Sequence, residues 1–133
     1  MQKYDLSKCP CGSGRSYAEC CAGLHNGTRQ AETPLELLRG RYTAYALLNG
    51  DYIKASWHPD YCPNMPARLM VADYKKIKLT GLIVIREEIT GDRGVVEYQA
   101  RLRIGARFDS IHEIANYVKT EGKWYYTDGE LIR

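Results

Sequence analysis

Five cysteines carry the chemistry this sequence offers most openly, and four of them fall within thirteen residues as Cys9-Pro10-Cys11 and Cys20-Cys21. The spacing Cys-x-Cys-x8-Cys-Cys supplies four thiolates, a donor set for a tetrahedral soft-ligand ion, with Zn2+ ahead of iron. The residues between them suit that purpose. Gly12 and Gly14 can take positive φ, so the chain can turn tightly and aim backbone N–H groups at sulfur. Ser16 and Glu19 form a Ser-x-x-Glu capping box that opens a short helix presenting Cys20 and Cys21. Lys8 and Arg15 can offset thiolate charge.

Disulfides and four incidental free thiols are the other readings of the cluster. Cα atoms of adjacent residues such as Cys20 and Cys21 sit about 3.8 Å apart, short of the roughly 4.4–6.8 Å a disulfide usually spans. Crossed pairing between the two halves requires an oxidising compartment. A shell of four cysteines has no open coordination position, so a metal there is structural rather than catalytic. His25 follows the cluster, but four thiolates already fill the shell. Cys62 is left over and reads as a structural thiol.

Catalytic candidates are sparser. His58 stands between Trp57 and Pro59 at a predicted helix end, where an imidazole stabilises the helix dipole or caps carbonyls. The functional alternative is a general acid/base with Asp60 or a sheet carboxylate as companion. His112 and Glu113 are neighbours on a predicted strand, so their side chains point to opposite faces and cannot act as one dyad. Either can make a cross-strand contact, or one can enter a pocket beside Tyr98 or Tyr117. Glu97, Gln99, Arg101 and Arg103 alternate as a solvated face or, with Arg86 and Arg107, as an anion- or protein-binding one. Lys75, Lys76 and Lys78 read as a solvated junction. No Gly-rich phosphate loop, Ser-His-Asp order or paired-carboxylate motif stands out.

The elements that must hold these residues are readable in outline. Residues 1–27 are rich in Cys, Gly and Ser and cannot build a core alone, and 26–30 read as a linker. Thr33, Pro34 and Glu36 are N-cap, first-turn and capping-box residues. They open a helix with Leu35, Leu38, Tyr42 and Tyr45 or Ala46 at helical spacing, stopped by Asn49-Gly50. Asp51 is the expected cap of a second short helix holding Tyr52, Ile53 and Trp57, which Pro59 ends. A third helix is expected from Asn64 to about Tyr74, with Pro66 in its first turn and Leu69 and Met70 inward. Strands follow at Leu82–Ile89 and Val96–Ile104, then Ile111–Lys119 and Lys123–Glu130 as a hairpin about Thr120-Glu121-Gly122. Helices followed by a meander predict an α+β fold whose antiparallel sheet is covered on one face.

The 133 residues allow one domain plus a small appendage, and 44% hydrophobic with 26% charged residues excludes wholesale disorder. A formal charge of +3 is too small to argue for direct DNA binding. No apolar run approaches the roughly 20 residues of a membrane span. The opening MQKYDLSKCP has no apolar h-region, so a reducing cytoplasm is expected. Eleven tyrosines against one phenylalanine imply aromatic surfaces with polar tips.

The segment CPCGSGRSYAECC closely resembles the SEC-C zinc motif, in its four cysteines, its Gly-Ser-Gly turn and the aromatic at Tyr17. Leu38-Arg39-Gly40-Arg41-Tyr42-Thr43-Ala44-Tyr45, Trp57-His58-Pro59 and Gly122-Lys123-Trp124-Tyr125-Tyr126-Thr127-Asp128-Gly129 follow in order. Together they resemble the bacterial YchJ-like family, whose central domain is similar to the nuclear transport factor 2-like cone. The resemblance implies a SEC-C-like zinc motif over 1–27 and a nuclear transport factor 2-like α+β domain over 28–133, with helices packed on a curved antiparallel sheet. It implies one structural Zn2+ on Cys9, Cys11, Cys20 and Cys21. The family's pattern similar to His-Glu-Arg-Ser-x-Phe stands here as His112-Glu113-Ile114-Ala115-Asn116-Tyr117, keeping His and Glu and losing Arg and Ser. Many relatives add a second Cys-rich motif, which these residues do not contain.

The family brings no established activity. The similar motif in the tail of the SecA motor contacts a chaperone and the ribosome, so the leading expectation is a non-enzymatic adaptor whose zinc motif meets a protein or ribosomal partner. The alternative is a small-molecule pocket in the cone, a carrier or a lyase, isomerase or hydrolase using His58 and tyrosines. Zinc or thiol homeostasis is a third.

Overall fold

A computed structural model describes residues 2–133; Met1, first residue of the expected 1–27 segment, lies outside them. The cysteine-bearing segment contains one short helix, α1 (Cys21–His25), preceded by turns. The Ser16–Glu19 box forms, with the Ser16 hydroxyl accepting the Glu19 amide at 3.2 Å. It shapes the turn before the helix rather than its first turn, which leaves Cys20 at the N-cap and Cys21 inside α1. Gly12 and Gly14 both take positive φ, as the tight turn requires.

The second helix, α2 (Pro34–Ala46), starts as its signals predict, with the Thr33 hydroxyl accepting the Glu36 amide at 3.1 Å. The Glu36 carboxylate reaches past Thr33 to the Glu32 amide at 2.7 Å and pairs with Arg29 at 3.2 Å. The expected linker is therefore tied down. The helix stops two residues earlier than Asn49-Gly50, because Leu48 turns the chain at φ 59°. Asn49, not Asp51, then caps α3 (Gly50–Ser56), its side chain accepting the Tyr52 amide at 3.0 Å.

The single helix expected over 64–74 divides into α4 (Ala67–Met70) and a 3-10 turn (Ala72–Lys76). Val71 leaves helical backbone between them and enters the core with Ala44 and Ile53. Met70 packs against that cluster, whereas Leu69, expected inward, is 49% exposed.

Four strands follow as an antiparallel meander, β1 (Ile77–Thr90), β2 (Arg93–Ile104), β3 (Arg107–Thr120) and β4 (Lys123–Leu131), in the order β1-β2-β3-β4. Register shifts in β1 at Leu79/Gly81 and Val84/Arg86, and in β3–β4 at Asn116/Tyr117, curve the sheet. Its concave face carries Val96, Ala100, Leu102, Ala115, Tyr117, Trp124 and Tyr126, all buried. Alternation puts Glu97, Gln99, Arg101 and Arg103 on the other face. α2 lies across the concave face and touches β1, β2 and β4. The result is the cone-like α+β fold the sequence implied.

Candidate metal centre and interior cavity

The sulfurs of Cys9, Cys11, Cys20 and Cys21 converge, all within 4.8 Å of one another. Cys11 and Cys21 are fully buried, Cys9 and Cys20 nearly so. The Cys11–Cys20 and Cys20–Cys21 separations are 3.6 and 3.9 Å, too long for disulfides, which measure about 2.05 Å. Four sulfurs about 2.3 Å from one ion would stand about 3.8 Å apart in a tetrahedron. The donor set therefore fits a four-coordinate thiolate site in number and type, and its Cys11–Cys20 and Cys20–Cys21 separations match that edge.

Surrounding groups hold the cluster without competing for the ion. The Ser13 hydroxyl donates to Cys20 Sγ at 3.2 Å, and Arg15 Nη2 lies 3.8 Å from the same sulfur. Lys8, expected to share that role, is exposed. The α2 helix forms the floor: Thr43 Oγ1 is 3.6 Å from Cys9 Sγ, and Arg39 Nη1 donates to the Cys11 carbonyl at 2.5 Å. The close approach of Cys11 and Cys9, then burial, pushes the Cys21 thiol up, so the sulfurs do not all ionise together without a cation between them.

His25 is excluded as a ligand. Its Nε2 is 2.9 Å from the Gly40 carbonyl and its Nδ1 is 2.9 Å from the Tyr17 hydroxyl. The carbonyl requires the proton on Nε2, leaving Nδ1 to accept from tyrosine. Burial accordingly holds this imidazole below its usual pKa, in the neutral form.

A cavity of about 290 Å³ lies between α2 and the concave face of the sheet. Leu38, Arg41, Tyr42 and Tyr45 reach it from one stripe of α2, and Tyr98, Ala100, Glu113 and Tyr126 reach it from the strands. The small side chain of Ala100 leaves the room. Glu113 is held by two phenols, accepting from Tyr98 at 2.5 Å and from Tyr126 at 2.7 Å. Burial, then the Glu113 charge, pushes both phenols far above the ordinary tyrosine range, so both stay protonated donors. Arg41 is 6% exposed; its guanidinium lies 4.1 Å over the Tyr126 ring and donates to Ser56 at 2.5 Å.

The family comparisons agree with both halves of this picture. A model described as the SEC-C motif matches residues 7–23, and one described as YchJ, middle NTF2-like domain, matches residues 33–129. The chain belongs to the YchJ-like family. A UPF0225 protein of Deinococcus radiodurans is 44% identical over 121 residues, covering 90% of this chain and 86% of that one. A UPF0225 protein of Bordetella bronchiseptica is 36% identical, covering 98% and 99%. Among solved structures, a SEC-C motif containing protein from Rhodopseudomonas palustris superposes with TM-score 0.86 at 36% identity, covering 95% of this chain and 99% of that one. A NTF2-like protein from Cytophaga hutchinsonii shares the fold alone, with TM-score 0.54 at 15% identity over 73% of this chain and 92% of that one.

Within this YchJ-like chain, the catalytic candidates scatter. His58 is tied outside the cavity: its amide donates to the Tyr126 carbonyl at 2.8 Å, and its Nδ1 accepts the Asp60 amide at 3.1 Å. His112 and Glu113 do point to opposite faces. His112 Nε2 meets Glu97 at 2.7 Å on the outer face, where Arg86 also reaches Glu97 at 2.9 Å, so that carboxylate is held below its usual range. Glu113 alone enters the cavity, beside Tyr98 and Tyr117. Cys62 is half-buried, far from the other thiols in the sequence. Arg41 is the residue the sequence reading missed. Its signal was a charge at i+3 from Leu38 and i−4 from Tyr45, inside the inward stripe of α2.

Proposed function

We propose that the chain is a zinc-stabilised, non-enzymatic binding protein of the cytoplasm, whose single Zn2+ on Cys9, Cys11, Cys20 and Cys21 is structural. The convergence of four buried sulfurs, all within 4.8 Å of one another, carries this reading. Protein thiolates fill all four positions, leaving none for substrate. Four thiolates and Zn2+ sum to −2, which would reduce the formal +3 to about +1. Residues 1–27 owe their order to that ion, and residues 28–133 hold a core of their own. Leu6, Lys8 and Arg15 are exposed, and a protein or ribosomal partner would dock there.

Elemental analysis tests the metal, with one zinc per chain expected in the wild type and a large loss in Cys20→Ser. A zinc-free wild type that folds identically would refute it. Co-sedimentation with ribosomes, comparing the wild type with a Leu6→Ser/Lys8→Glu variant, tests the partner. Reduced pelleting of the variant is expected, and equal or absent pelleting of both would count against the docking role.

The cavity supports a second reading, a site for a small molecule, because Arg41 and Glu113 both reach an otherwise largely aromatic and aliphatic space. His58 lies outside that space, which removes the general acid/base that a lyase, isomerase or hydrolase reading would have used.

A further inference from the structure

Arg41 has five N–H donors, and the only side-chain hydrogen bond it makes among the described residues goes to Ser56. Its other contacts are aromatic faces, with Tyr126 at 4.1 Å, Trp57 at 5.4 Å and Tyr45 at 6.0 Å. No carboxylate among the described residues lies within 4.0 Å of it. A buried cation without an anionic partner is costly, and interiors ordinarily neutralise one.

The one acidic group in the same cavity is kept from neutralising it. Glu113 is anchored by Tyr98 and Tyr126, and Tyr126 stands between the two charges, its ring under the guanidinium and its hydroxyl on the carboxylate. The cavity thus has a cationic pole and an aromatic body. At about 290 Å³ it falls at the small end of the roughly 300–1,000 Å³ usual for ligand pockets, enough for a ligand of one or two rings.

We propose that the cavity binds a small carboxylate with a one- or two-ring apolar body, its carboxylate meeting Arg41 and its body lying against Trp57 and Tyr45. The proposal rests on the small-molecule reading of the cavity. A guanidinium offers a carboxylate two parallel N–H donors, a match a neutral isostere cannot reproduce. Leu131, exposed at the end of β4, stands at the rim where such a ligand would enter.

The test uses the zinc-loaded full chain, 15N-labelled, titrated with benzoate and indole-3-acetate against benzamide and indole-3-acetamide. Shifts confined to Arg41 Nε–H and the amides of Tyr98, Glu113 and Tyr126 are expected, with each acid binding about tenfold or more tighter than its amide. Arg41→Gln should erase that preference, and Arg41→Lys should keep part of it. Should Arg41→Gln fail to fold, the wild-type acid-to-amide ratio still decides. Equal affinities for acid and amide would overturn the carboxylate assignment and leave the cavity reading standing. Absence of any cavity shift at millimolar probe would overturn both.

Discussion

Glu113 is at once a cross-strand contact and a cavity wall. Directly opposite Tyr98 in the β2–β3 register, it accepts that phenol on one oxygen and the Tyr126 phenol on the other. A carboxylamide has only one acceptor oxygen, so Glu113→Gln leaves one buried phenol without an acceptor. The expected cost is about 1–3 kcal/mol, read by denaturant unfolding. Removing the charge also removes one cause of the raised phenol pKa values, so Tyr98 and Tyr126 should ionise at lower pH in the variant. An unchanged tyrosine titration would contradict the assigned contacts. Glu113 was readable because period-two alternation fixes the face opposite His112. That Tyr98 and Tyr126 would both serve it was not, since the second partner depends on a β3–β4 register with a shift at Asn116/Tyr117.

At the scale of elements, local signals read best where one residue decides. Thr33 caps α2 as expected, whereas α3 shows two nearby polar residues competing. Asn49 wins because Leu48 has already turned the chain, leaving Asp51 exposed in the first turn. Asn49→Ala should therefore cost about 1 kcal/mol, and Asp51→Ala under about 0.5 kcal/mol. The reverse ranking in thermal unfolding would contradict the observed cap. Gly50 sharpens the point. Helix propensity alone favours Gly50→Ala by roughly 0.5–1 kcal/mol, but a Cβ there would collide with the Ala67 backbone carbonyl where α4 meets α3. A net loss of about 1–3 kcal/mol is expected. A stabilised Gly50→Ala would show that the two helices can part cheaply. No local pattern announces such a contact, which exists only once α4 folds back, and the same holds for the break at Val71.

For the whole molecule, the excess of tyrosine becomes a pH limit. Tyr42, Tyr52, Tyr74, Tyr98, Tyr117 and Tyr126 all have phenol pKa values raised above 10, chiefly by burial, with Tyr74 pushed up to about 12. Because each folded value exceeds the unfolded one, this contribution is complete below about pH 10 and is lost as pH rises through the folded values. Each phenol kept protonated should remove about 1.4 kcal/mol of stability per pH unit above about 10. Unfolding midpoints should fall steeply from pH 10 upward, and a flat profile to pH 12 would contradict buried phenols. The cysteine-bearing segment sets the other limit. Its sulfurs share a hydrophobic cluster with Tyr42, Ala46, Leu79, Ala100 and Leu102, so it is docked on α2, β1 and one end of β2, while Val96 of β2, the β3–β4 side of the sheet and α3 are held by clusters that do not include it. Hydrogen exchange before and after zinc chelation tests this most directly. The account predicts lost protection at Cys9, Gly12, Tyr17 and Cys20–His25, with the centres of β2, β3 and β4 still protected. Unchanged exchange across residues 9–25 after the zinc is removed would contradict it.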